Sequence, residues 1–308
     1  MRSEIIKFLL QSQNPDGGWG YFPGKSSALE ATAFALLAVR LLPEAAICKQ
    51  KAISFLKPTQ AGTGGWPVNT SESEAASWVS SLAGQALFEA EGYGNPVRRS
   101  VEYLETTFGK VPLSWWTRLS IAMGNKKGLP FDVRFGGWNW NPSTTPWVEP
   151  TSYALLFLKK IGTSLLPAQL QGFILEAETM LYDRMCPSGG WNYGNSRVLG
   201  EDLRPYLLTT AIALMALQDH PEREENRRSL EYLQRTLSAE KSALSLAYAI
   251  LCLDLYRFQD SLASDSLLRI WEEDHFFKNT KTAALASLAL DARERGNPFR
   301  LAPASRRV

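Results

Sequence analysis

A chain of 308 residues with 45% apolar and 21% charged residues has the balance of a soluble globular protein and can bury a large core. Its net charge of +2 gives no reason to expect a polyanionic partner, and no nucleic-acid signature is present. Three scattered cysteines, Cys48, Cys186 and Cys252, form neither a disulfide framework nor a CxxC pair, which points to a reducing compartment.

The amino terminus, MRSEIIKFLLQSQ, carries Glu4 and lacks the apolar run of a signal peptide or membrane span, so a cytoplasmic location is expected. Roughly 2–13 reads as an amphipathic, charged helix. A Gly17-Gly18-Trp19 loop follows, then a helix over about 29–42 that is apolar nearly all round. The same order recurs as 46–57, Gly64-Gly65-Trp66 and 74–90. It recurs again as 95–108, an insertion at about 109–135, Gly136-Gly137-Trp138 and 149–162. The fourth copy runs 167–185, Gly189-Gly190-Trp191 and 204–219. Two further pairs, 222–238 with 241–256 and 261–274 with 279–291, lack the tripeptide.

A helix apolar on every face must be covered on every face. Six such helices inside six amphipathic ones predict an all-α fold, an (α/α)6 barrel formed as one domain over 1–292. A stacked solenoid would leave terminal faces in need of polar caps, and the first and last apolar helices offer none. All four Gly-Gly-Trp loops then fall at one end of the barrel. The Arg- and Pro-rich tail, 293–308, is expected to wrap the outside or fray.

The first two copies share a longer phrase. Phe8-Leu9, Gln13, Gly17 and Trp19 recur at the same gaps as Phe55-Leu56, Gln60, Gly64 and Trp66. This pattern resembles the QW repeat of squalene–hopene cyclases and of protein prenyltransferase β subunits, and the resemblance covers about 5–291. Physically, Gln can cap a helix end while Trp stacks over it, so Trp19, Trp66, Trp138 and Trp191 read first as staples between helix pairs.

The resemblance implies an isoprenoid-processing enzyme, cyclase-like in type. Such cyclases protonate an alkene or epoxide with the middle Asp of an Asp-x-Asp-Asp motif at an inner-helix start. On that pattern Glu149 takes the middle position, while Trp147 replaces the first Asp and Pro150 the last. Burial beneath Trp138, Trp140 and Trp147 would keep Glu149 protonated. A carboxylate in the first helical turn also suits the helix dipole, with Pro150 at the first helical position. Glu30 and Glu74 occupy similar helix starts, so the position alone requires no chemistry.

Asp202 is the second candidate acid, in a Glu201-Asp202-Leu203-Arg204-Pro205-Tyr206 stretch at the same end. Trp78, Trp138, Trp140, Trp147, Tyr153, Arg204, Tyr206 and Arg134 are the candidate substrate contacts, with Phe34 and Tyr248 also on apolar helices. Aromatic faces there would stabilise a carbocation. Arg118, Lys126, Lys127, Arg134, Arg197, Arg204, Lys278 and Lys281 gather near the same end and could receive a diphosphate. No metal site is expected, because Asp183, Cys186, His220 and His275 do not reproduce the prenyltransferase zinc ligands. The expected cofactor is none, with Mg²⁺ only for a diphosphate substrate.

Trp115-Trp116 with Lys126-Lys127 suits either a segment lying on a membrane or a flap over the mouth. The expected partner is a hydrophobic isoprenoid, with peripheral membrane contact, a homodimer or a partner subunit as further options. The alternatives to a cyclase are a non-catalytic lipid- or protein-binding barrel and a zinc-independent prenyltransferase-like subunit.

Overall fold

The computed structural model describes residues 2–116, 119, 131–142, 144–258 and 260–301. Among them are twelve α-helices: α1 Arg2–Gln11, α2 Leu29–Val39, α3 Ala46–Leu56, α4 Ser77–Glu91, α5 Asn95–Thr107 and α6 Val148–Ile161, then α7 Ala168–Asp183, α8 Leu207–Ala216, α9 Glu224–Leu237, α10 Ala243–Leu255, α11 Ser261–Asp274 and α12 Thr280–Arg295. The protein is thus mainly helical. No helix among the described residues is long and apolar enough to cross a membrane.

The even-numbered helices are the apolar ones, and every residue of α2 is buried. Each packs on the next in the order α2, α4, α6, α8, α10, α12, and α12 packs back on α2. Each odd-numbered helix covers the apolar helix before it, α3 on α2 through α11 on α10, and α1 covers α12. The first and last helices are thereby joined, helped at the surface by Arg2 bonding Glu294 at 3.0 Å.

The Gly-Gly-Trp loops tie the helices together through one recurring set of bonds. The indole N–H groups of Trp19, Trp66, Trp138 and Trp191 donate to the carbonyls of Leu9, Leu56, Leu104 and Leu181. Those carbonyls lie in the last turns of the odd-numbered helices, where no intrahelical donor remains. The backbone N–H of each Trp donates to a hydroxyl in the first turn of the next apolar helix, from Thr32, Ser80, Thr151 and Thr210. The residue preceding each of these helices pairs its backbone with the same Trp, as Ala28 N–H does to the Trp19 carbonyl at 2.8 Å. The loop therefore fixes where each helix starts. Where the tripeptide is missing, side chains take over: Ser242 caps α10 and Asn279 caps α12.

Gln13 and Gln60 do not cap a helix end, a part the Trp indoles take; each bridges two backbone carbonyls, of Gly17 and Cys48 and of Gly64 and Pro96, and so ties its loop to the start of the next charged helix. Gly64 has φ +96°, and a Cβ there would stand 2.4 Å from the Arg99 carbonyl oxygen. Only glycine allows that approach.

Three local expectations are corrected. Two short antiparallel pairs, Trp66–Pro67 with Ala75–Ala76 and Arg197–Val198 with Glu201–Asp202, lie in loops read as irregular. Glu74 precedes α4 and is exposed, because the Trp66 pairing fixes the helix start at Ser77. The tail neither wraps the outside nor frays over its described part. Residues 296–301 cross the carboxyl-terminal ends of the apolar helices, and Phe299 is 1% exposed. Gly296, Pro298 and Phe299 give their carbonyls to Arg40, Gln85 and Gln218, while Asn297 donates to Leu251 and Asp254. Polar side chains at those helix ends find backbone partners in the tail, so burial there leaves few orphan groups. Residues 302–308 lie outside the described residues.

Candidate functional site

The second residue of each apolar helix stands at one level at the Gly-Gly-Trp end: Glu30, Trp78, Glu149, Leu208, Leu244 and Lys281. Helical position explains the set, since each helix starts at the same point of its loop. Glu30 is buried, and its two carboxylate oxygens are held by the Tyr21 hydroxyl at 2.6 Å and the Lys281 ammonium at 2.7 Å. Glu149 is partly buried and accepts a hydrogen bond from the Tyr153 hydroxyl at 3.2 Å.

One turn deeper lie Phe34, Leu82, Tyr153, Ile212, Tyr248 and Leu285, none more than 1% exposed. The Tyr153 and Tyr248 hydroxyls are 2.8 Å apart, although α6 and α10 are separated in the packing order by α8. Phe34 meets Tyr248 edge-on at 6.4 Å. These rings fill the centre and form a floor beneath the charged layer. Burial raises both tyrosines well above the usual phenol range, so their hydroxyls keep their protons.

Desolvation raises the Glu149 carboxyl above its ordinary value; Lys281 opposes the shift, Glu30 adds to it and the Tyr153 hydrogen bond opposes it. A carboxyl that holds its proton more tightly than usual, with a phenol behind it and a cation held aside, has the surroundings of a general acid. The same shift has a consequence for stability. The folded chain holds this proton more tightly than the unfolded one, so the contribution is intact at acid pH and is lost as pH rises through the folded titration. Glu149→Gln is therefore expected to gain stability over wild type at neutral and alkaline pH, the gain vanishing toward acid pH. Denaturant titrations across that range check it.

The structure places the other sequence candidates as follows. Trp138 is fully buried in its staple. Trp78 packs edge-on against Trp140 at 5.3 Å. Trp140, Trp147 and Tyr206 line a cavity of about 520 Å³ together with Asn192, Tyr193, Asn195 and Leu203. Tyr193 was missed by sequence reasoning and meets Tyr206 at 5.4 Å. Asp202 is exposed on the 197–202 hairpin and pairs with Arg197 at 2.7 Å. Arg134 is exposed and held by Asp132, and Arg204 is exposed beside Tyr206 and Tyr232. Trp115 and Trp116 are exposed, whereas Arg118, Lys126 and Lys127 lie outside the described residues.

Pro150 is the third residue of α6 rather than the first, still within the turn whose N–H groups need no helical partner. Glu30 and Lys281 as a pair were also missed. The first-turn hydroxyls gave a signal for Glu30 alone, because aligning Thr32 with Thr151 superposes Glu30 on Glu149.

Among the described residues, Glu178, Asp219 and His220 present potential ligand atoms within 4.8 Å of one another. They lie at the opposite end, where the buried Lys159 ammonium bonds both Glu178 and Asp219. A cation already occupies that acidic cluster.

No known family model matches the sequence, and no curated protein is similar to it. Solved structures are similar along their whole length. A variant of type II terpene cyclase MstE from Scytonema, in complex with geranylgeranyl dihydroxybenzoate, superposes with a TM-score of 0.61 at 13% identity, covering 97% of this chain and 98% of that one. An alpha-amylase from Clostridium perfringens gives 0.62 at 10% identity over 95% and 98%. Xylose-bound Rex8A from Paenibacillus barcinonensis gives 0.55 at 13% identity over 98% and 94%. At these identities the likeness shows the fold alone.

Proposed function

We propose that this protein is an isoprenoid-processing enzyme of the class II terpene cyclase type, built as an (α/α)6 barrel, with Glu149 as its proton donor. The cyclic packing of the six apolar helices supports the barrel. The single observation that carries the reaction is Glu149 itself: a carboxyl at the apolar-helix N-terminal end, kept above its usual range by desolvation, over a floor of aromatic side chains. Structures of a similar fold hold a geranylgeranyl substrate and a terpenoid product, merosterolic acid A.

In this reading the Glu149 O–H bond breaks as a C–H bond forms at one carbon of an alkene, whose π bond breaks, or as an O–H bond forms at an epoxide oxygen, whose ring C–O bond opens. The positive charge appears on the more substituted carbon, and the next double bond closes a ring onto it. Loss of a proton or capture of water ends the sequence, and Glu149 recovers its proton from solvent. Trp78, Trp140 and Trp147 would offer ring faces to the cationic chain, and Tyr206 and Tyr193 would border its polar end. Tyr153 orients the acid. Asp202, paired with Arg197 in the open, offers no comparable environment.

Farnesyl, geranylgeranyl and squalene-type compounds should be supplied to wild type and to Glu149→Gln. Turnover of one of them is expected, with a loss of about a thousandfold in the variant. No product from any of them would overturn the reading. A second reading, a non-catalytic lipid-binding barrel, is favoured by the Tyr153–Tyr248–Phe34 floor, whose side chains fill the centre beneath Glu149. Tight binding without turnover would decide for it.

A further inference from the structure

We propose that Glu30 is a positioning residue that holds the Lys281 ammonium away from Glu149, so that the Glu149 carboxyl stays without a cationic partner. The proposal deepens the reading of Glu149 as a proton donor and rests on it for its purpose, though not for its test. Lys281 and Glu149 belong to the same layer, and a free ammonium there would pair with whichever carboxylate reached it. Glu30 reaches it at 2.7 Å, and the Tyr21 hydroxyl takes the other Glu30 oxygen at 2.6 Å. Both oxygens are thus engaged. Glu149 is left with a neutral phenol, Tyr153, as its hydrogen-bond donor.

The surrounding chain holds this arrangement in place. The Tyr21 carbonyl accepts the Thr280 N–H at 2.9 Å, so the loop that grips Glu30 also grips the start of α12, one residue before Lys281. Ahead of α12, four consecutive non-glycine residues, His275 to Lys278, have φ between 51° and 58°. Left-handed backbone is unfavourable for such residues and persists only where neighbours impose it. Phe276, buried against Trp271 at 5.2 Å, anchors the turn.

Among the described residues, few groups face Glu149. Tyr153 stands on its own helix, Glu30 on α2, Lys281 on α12 and Tyr248 on α10. At the same level α4 and α8 present Trp78 and Leu208, which carry no charge. Removing the Glu30 charge should therefore free Lys281 to pair with Glu149 and ionise it.

Glutamate labelled with ¹³C at the side-chain carboxyl, read by NMR across pH without substrate, reports the Glu149 titration directly, with Glu149→Gln assigning the signal. In Glu30→Gln the Glu149 midpoint is expected to move to lower pH. In Glu30→Gln/Lys281→Met, which has no ammonium to relocate, it is expected to lie no lower than in wild type. An unchanged midpoint in Glu30→Gln, or a midpoint below wild type in the double variant, overturns the proposal. The double variant leaves no unpaired charge, so it decides the matter even where Glu30→Gln fails to fold. Because no turnover is measured, a failure here is distinct from a failure of the cyclase reading.

Discussion

Trp66→Ala is expected to lower the free energy of unfolding by about 4 kcal/mol, the range for emptying a fully buried aromatic site. The side chain is 0% exposed, and its indole N–H supplies the Leu56 carbonyl at the end of α3. Truncation thus opens a cavity and removes one of the two donors to that carbonyl, leaving the Thr59 hydroxyl at 2.8 Å. The Trp66 backbone stays committed to Ser80 and to the Ala76 pairing, so the cavity is the larger part of the loss. Trp66→Phe separates the two effects. It keeps a six-membered ring, so the cavity is smaller while the indole bond is lost in full, and about 2–3 kcal/mol is expected. Trp115→Ala, at an exposed position, should change stability by less than about 0.5 kcal/mol. Urea unfolding of the three variants tests the assignment of the tryptophans as staples, and equal losses at positions 66 and 115 would refute it.

Phe299→Ala is expected to cost about 3–4 kcal/mol, at the opposite end of the molecule. Phe299 is buried among the carboxyl ends of the apolar helices, and its own carbonyl binds Gln218. Deleting everything after Gly296 should cost more. It also removes the partners of Gln85 and Gln218 and exposes the apolar surface that Phe299 covers. Arg40 keeps Glu89 and the carbonyls of Leu37 and Gly296, so that corner should survive the truncation. Thermal unfolding of the point variant and the truncation checks this. A truncation as stable as wild type would mean that the tail merely rests on the surface.

The alternation of charged and apolar helices was legible in the sequence because burial on every face writes itself as apolarity on every face. Helix starts were legible only to within a turn. Glu74 looked equivalent to Glu30, yet the backbone pairing of Trp66 with Ala76 sets the register, and Trp78 takes that place. The Ser and Thr residues at 32, 80, 151 and 210 carried the true register and were not recognised as hydrogen-bond acceptors for the loop. The tail was misplaced because Arg and Pro suggest solvent, whereas Asn297 and Phe299 decide where it goes.

At the site, Glu149 and Tyr153 could be named from a helix start and from spacing along one helix. The Glu30–Lys281 pair could not, since it joins residues 251 apart that meet only where α12 returns to α2. Asp202 attracted attention as part of an acidic cluster, and its partner Arg197 is fixed by a two-residue hairpin too short to read from periodicity.

Turnover of a geranylgeranyl substrate in D₂O tests the central claim most directly. The Glu149 proton exchanges with solvent before each cycle, so the product of the wild-type protein should carry one deuterium at the carbon protonated in the first step. Glu149→Gln should give neither product nor label. A product free of solvent deuterium, or one formed by Glu149→Gln at the wild-type rate, would contradict the assignment of Glu149 as the proton donor.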